Sequence, residues 1–149
     1  MGLAIDDRGI LMPCPTCGAR NRVPFGAEAN CGQCHTRLPA PGEPLDVTST
    51  AAFDALVSRS RMPIVVDFWA PWCGPSRAVA PEIARVAATH RGQWLVVKVN
   101  TDALTDLAGR FQIQSIPTMA VFAGGRERTR TTGARPAPEI EAFVEQALS

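Results

Sequence analysis

Five cysteines are the residues of this 149-residue chain with the most chemistry to offer, and they fall into two groups. Cys14 and Cys17 form one Cys-x-x-Cys pair and Cys31 and Cys34 a second, with thirteen residues between the pairs. Two tight turns that each present two thiolates suit a tetrahedral Zn²⁺ ion, one per chain. A site closed by four sulfurs leaves no open coordination position, so its role is structural. The fifth cysteine, Cys73, stands alone in Trp72-Cys73-Gly74-Pro75-Ser76, at the predicted start of a helix. Free backbone N–H groups and the helix dipole favour an anion there, which makes Cys73 the candidate nucleophilic thiolate.

Other chemistries fit parts of the pattern. Iron held by the same four sulfurs is the alternative metal. Cys31-Gly32-Gln33-Cys34-His35 also matches a c-type haem attachment site, but haem would leave Cys14 and Cys17 without a role. His35 reads as an exposed or supporting residue rather than a ligand. Arg20, Arg22 and Arg37 near this segment could touch nucleic acid, but three scattered charges read as solvated surface.

The hydrophobic content of 46% and charged content of 19% fit a globular protein, and a net charge of +1 gives no support for a nucleic-acid or membrane partner. No apolar run approaches the ~20 residues that span a bilayer. Gly2 invites a check for acylation, which Asp6 at the position expected for Ser or Thr disfavours. Met1–Met12 is broken by Asp6, Asp7 and Arg8 and has no signal-like core. A cytoplasmic, monomeric protein with reduced thiols is the expectation.

The elements that must hold these residues follow from pattern. Residues 1–12 show no clear period and are expected to be a flexible lead. Residues 13–38 carry the four cysteines among the turn formers Pro13, Pro15, Gly18, Pro24, Gly26 and Gly32; so few large apolar residues imply that metal supplies much of the folding energy. Residues 39–44 form a proline-rich linker, and 45–149 form the main domain. In it, Leu45–Val47 is a short strand and Thr48 or Ser49 caps a helix burying Phe53, Leu56 and Val57. Pro63–Trp69 is a buried strand interrupted only by Asp67, and Cys73–His90 is a helix with Val79, Ile83, Val86 and Ala87 inward and Pro81 as a kink. Gln93–Asn100 is a second buried strand, and Thr101 or Asp102 opens a short helix to Arg110. Thr118–Phe122 turns at Gly124-Gly125 into Arg126–Thr132, and Pro136/Pro138 open a last helix with Ile140, Phe143, Val144 and Leu148 inward. This order predicts an α/β fold, a mixed sheet flanked by helices.

From Pro44 to Ser149 the chain resembles the thioredoxin family. The landmarks are Val66-Asp67-Phe68-Trp69-Ala70, Trp72-Cys73-Gly74-Pro75, Ala80-Pro81, Lys98-Val99-Asn100, Ile116-Pro117-Thr118, Phe122, Gly125 and Gly133. Residues 13–38 resemble the zinc ribbon that heads the second type of bacterial thioredoxin. The resemblance implies a thioredoxin fold preceded by a small ribbon, and protein disulfide reduction with thioredoxin reductase as electron donor. Asp67 would pass protons to and from the second sulfur, with Lys98 as its partner. The bond before Pro117 would be cis, and Trp72, Gly74, Pro75, Ile116, Pro117 and Gly133 would dock extended, disulfide-containing protein substrates. Trp69 reads as core.

The departure is Ser76, where the family carries the resolving cysteine. A thiol there would face the same side of the helix as Cys73 and attack the mixed disulfide. A hydroxyl cannot form that bond, so the Ser76 form is expected to trap substrate and to be impaired in turnover. An engineered trapping variant would carry this exchange. The alternatives are a natural monothiol protein released by an external thiol, or a non-catalytic binding module whose ribbon senses redox state or metal.

Overall fold

The structure, a computed structural model, describes residues 3–25 and 28–149; Gly2 and the turn former Gly26 lie outside the described residues. One eight-stranded sheet runs through it. In chain order its strands are β1 (Leu3–Asp6), β2 (Gly9–Pro13), β3 (Arg20–Val23), β4 (Leu45–Val47), β5 (Ile64–Trp69), β6 (Leu95–Asn100), β7 (Thr118–Ala123) and β8 (Arg126–Thr132). The spatial order is β3-β2-β1-β4-β6-β5-β7-β8, parallel from β1 to β5 and antiparallel toward both edges. Four helices, α1 (Thr50–Arg59), α2 (Gly74–Thr89), α3 (Thr105–Arg110) and α4 (Ala137–Leu148), accompany the strands.

The expectation of a flexible lead is corrected. Residues 3–13 form a hairpin whose first strand lies parallel to β4, with Ile5 opposite Val47. Asp6 closes the turn by accepting from the N–H groups of Arg8 and Gly9 at 2.8 and 3.1 Å. Gly9, at φ 156°, has room for no side chain, because a Cβ there would lie 2.3 Å from the Val23 carbonyl oxygen. Ile5, Ile10 and Met12 are buried with Leu45, Phe53 and Leu56. The cysteine-bearing segment and the rest therefore share one sheet and one apolar layer. Strands of four and five residues carry too little period to read from sequence, and β4, the parallel partner of β1, lies about forty residues away.

β5 and β6 lie between two layers, which explains their near-continuous hydrophobicity. Alternation assigns the sides: Ile64, Val66 and Phe68 face one layer with α1, while Val65 faces the other with Val79, Ile83, Val86, Ile140 and Val144. Asp67, two residues beyond Val65, thus lies on the α2 side. α1 is capped by Ser49, whose Oγ accepts the Ala52 N–H at 3.0 Å, and its Phe53 meets Phe111 and Phe122 edge-on at 5.5 Å. α2 runs unbroken through Pro81. Glu82 accepts the first N–H of α4, from Ala137, at 2.9 Å, and His90 at the end of α2 stands 2.6 Å from Glu141. In α4, Ile140 and Val144 are buried, whereas Phe143 and Leu148 are only partly covered. α3 starts at Thr105, beyond the expected Thr101 or Asp102: the Asn100 side chain accepts from the N–H groups of Asp102 and Ala103 and holds them in a turn.

Candidate functional site

β5 ends at Trp69, and a short turn delivers Cys73 to the N-cap of α2. The Cys73 N–H donates to the Ala70 carbonyl at 3.2 Å, and its own carbonyl accepts from Arg77 N–H at 3.1 Å, so the residue is fixed at the helix mouth. Pro75 occupies the first turn, where a missing N–H costs nothing. Cys73 is 7% exposed, whereas Trp72 beside it is 68% exposed. Cys73 Sγ lies 3.7 Å from the Ile116 carbonyl oxygen, and the Ile116–Pro117 bond is cis. The Gly133 N–H donates to the Pro117 carbonyl at 2.8 Å, and Gly133 takes φ 96°. Trp72, Gly74, Pro75 and Gly133 are exposed, Ile116 is half-buried and Pro117 is buried. The structure therefore brings these residues together as a rim around a recessed thiol.

Ser76 is 2% exposed, and its hydroxyl has no hydrogen-bond partner. Asp67 is 1% exposed, and neither carboxylate oxygen is hydrogen-bonded. Burial raises its pKa from 3.8 to about 7, against the opposing pull of the Lys98 charge. Lys98 stands opposite Asp67 in the β5–β6 register. It does not pair with it directly: its Nζ sits 4.3 Å from the centre of the Trp69 ring. Lys98 thus acts on Asp67 through its field, and Trp69 is the cation's platform rather than simple core. The Trp69 Nε1 is buried without a partner.

The second cluster lies at the β2–β3 end of the sheet. The four sulfurs of Cys14, Cys17, Cys31 and Cys34 all lie within 4.8 Å of one another, with Cys14–Cys34 at 3.6 Å and Cys17–Cys31 at 3.7 Å. Four sulfurs at ~2.3 Å from a common tetrahedral centre would stand about 3.8 Å apart. All five cysteines are free thiols. The donor set and spacing fit a four-thiolate metal ion.

The two knuckles are built alike. Cys14 N–H donates to Ala19 O, and Cys31 N–H to Thr36 O, both at 2.8 Å. Thr16 N–H points at Cys14 Sγ and Gln33 N–H at Cys31 Sγ, each at 3.4 Å. The N–H groups of Cys34 and Gln33 lower the pKa of the Cys31 thiol, favouring the form that binds metal. Gly18 takes φ 77° in the first knuckle as the turn requires, but in the second that position is His35, at φ 65°, not Gly32. His35 is exposed and is not one of the clustered ligands.

Sequence reasoning missed Asn21, which touches both knuckles. The signal available was its type: Asn side chains compete for backbone partners beside turns. Among the described residues, no helix is long and apolar enough to cross a membrane.

Comparison with known proteins agrees with this geometry. The family described as thioredoxin matches residues 44–146. Thioredoxin C-3 of Corynebacterium nephridii is 36% identical over 143 residues, covering 93% of this chain and 96% of that protein. Thioredoxin 1 of Chlorobaculum tepidum is 43% identical over 95 residues, 64% of this chain and 94% of that one. The solved thioredoxin of Malassezia sympodialis superposes with a TM-score of 0.65 at 27% identity, over 77% of this chain and 99% of that chain. The chain, with its recessed cysteine at a helix mouth on a mixed sheet, belongs to the thioredoxin family of thiol–disulfide oxidoreductases.

Proposed function

We propose that the protein attacks disulfides of protein substrates with Cys73 and, with Ser76 in the resolving position, holds them as mixed disulfides. The observation that carries this is the pairing of a recessed Cys73, 7% exposed at the α2 N-cap beneath the exposed Trp72, with a buried, unpartnered Ser76 hydroxyl three residues on. In the first step the Cys73 thiolate forms a bond to one substrate sulfur. The substrate S–S bond breaks, and the other sulfur leaves as a thiolate that takes up a proton. An extended segment beside the Ile116 backbone would present the disulfide to Cys73, with Trp72 and Gly133 flanking it.

A thiol at position 76 would then attack Cys73 Sγ, form an intramolecular disulfide with it and release the reduced substrate. Thioredoxin reductase would return two electrons to that disulfide. Asp67, whose pKa burial raises to about 7 so that it can both give and take a proton near neutrality, would exchange protons with the second sulfur. Ser76 stops the sequence after the first step. The natural setting would be the cytoplasm, where thiols stay reduced. Cys14, Cys17, Cys31 and Cys34 would hold one structural Zn²⁺, which cross-links the β2–β3 end of the sheet.

Insulin reduction coupled to thioredoxin reductase tests this directly. This chain is expected to show no sustained turnover but to accumulate a covalent adduct on Cys73, seen by mass spectrometry and reversed by a small thiol. Ser76→Cys is expected to restore turnover. The absence of a resolving sulfur also favours a second reading, a non-catalytic binding module. Inactivity of Ser76→Cys together with no adduct on Cys73 would select that reading instead.

A further inference from the structure

Each Cys-x-x-Cys knuckle closes on its own backbone, and thirteen residues of chain separate them. Among the described residues, the Asn21 side chain bridges the gap. Its Nδ2 donates to Ala19 O of the first knuckle at 3.1 Å and reaches Cys31 Sγ of the second at 3.5 Å. Its Oδ1 accepts from the Gly32 N–H at 3.0 Å. The orientation of this amide is dictated by its neighbours: a carbonyl can only accept and an N–H can only donate. Asn21 itself is anchored, since β3 pairs it with the buried Met12 of β2.

We propose that Asn21 is a positioning residue of the four-cysteine metal site, setting the distance between the two knuckles and donating to the Cys31 sulfur. The inference rests on the metal reading of Cys14, Cys17, Cys31 and Cys34. It explains how two turns far apart in sequence stand at near-tetrahedral sulfur spacing: one amide fastens both to the rigid β2–β3 pair. Four thiolates around a divalent cation leave a net charge of −2, and an N–H directed at one sulfur disperses part of it. Residues that orient metal ligands in this way set metal affinity without touching the ion.

The test uses the full chain loaded with Zn²⁺ and titrated with a chromogenic chelator, comparing wild type, Asn21→Ala and Asn21→Asp. Asn21→Ala is expected to weaken zinc binding by about 10–100-fold. Asn21→Asp keeps an acceptor for Gly32 but turns oxygen toward Ala19 O and Cys31 Sγ, so it is expected to weaken binding at least as much. Circular dichroism checks that the sheet of each variant is intact. In the Co²⁺-substituted protein, the thiolate-to-metal charge-transfer band of Asn21→Ala is expected to move to lower energy, because Cys31 has lost a donor. A merely structural role would leave that band in place. Variants that bind zinc as tightly as wild type, with an unmoved cobalt band, would overturn the role of Asn21 alone. A wild-type chain that takes up no zinc, or a Cys14→Ser variant that binds it equally well, would overturn the metal reading and this proposal with it.

Discussion

Asp67 makes a quantitative prediction about stability. Both of its carboxylate oxygens are buried without a hydrogen bond, and burial raises its pKa from 3.8 to about 7. The folded state therefore holds this proton more tightly than the unfolded chain does. As pH rises above about 4 the unfolded chain ionises first, and the folded state follows only near 7. Stability from this group is fully present below about pH 4, is lost progressively between about 4 and 7, and stays low above. The gap between 3.8 and about 7, at about 1.4 kcal/mol for each tenfold change in acidity constant, amounts to about 4 kcal/mol. Asp67→Asn keeps the shape and removes the ionisation. It is expected to be neutral near pH 4 and to stabilise by up to about 4 kcal/mol at pH 8.5. In thermal melts that corresponds to roughly 8–16 °C for a chain of this size. Urea unfolding of both proteins at the two pH values measures the effect, and other titrating groups cancel in the difference. An equal increment at both pH values would sink the reasoning, since it would trace the effect to packing rather than to a buried charge.

Two further perturbations separate neighbouring terms. Lys98→Met is expected to cost about 0.5–1 kcal/mol at low pH, where only the contact with Trp69 is lost, and more at pH 8.5, where the Asp67 carboxylate also loses its nearby cation. Denaturant unfolding at both pH values checks this, and a cost that does not grow with pH would refute the coupling. Ser49→Ala removes the acceptor for Ala52 N–H and is expected to cost about 1 kcal/mol, whereas Ser49→Gly is expected to cost only a few tenths; equal losses in thermal melts would count against a capping role.

Much of the body was legible because its signals are local. The apolar runs of β5 and β6, the inward face Val79, Ile83, Val86 and Ala87 of α2, and the Gly124-Gly125 turn each follow from periodicity or turn chemistry within a few residues. The late start of α3 was missed because Asn100 satisfies the N–H groups of Asp102 and Ala103 with its side chain, a competition that helix periodicity does not register. Residues 3–12 were missed because the β1–β2 hairpin is short and its anchor is not local: β1 is held in place by pairing with β4, across the whole cysteine-rich segment. Asn21 was silent for the same reason, since its three partners lie on two separate turns.

Residue types and short spacings were enough to name a cysteine at the predicted start of a helix, two knuckles of paired thiols and one carboxylate in an apolar run, and the family resemblance marked Ser76 as standing where a second sulfur would sit. The chain carries these whether folded or not. It took the folded arrangement to show that the Asp67 carboxylate has no hydrogen bond, that Lys98 rests on Trp69 instead of pairing with it, and that the cysteine-bearing hairpins extend the main sheet. Burial, charge separation and strand partnership depend on what distant segments bring to the same place, and no local pattern encodes them.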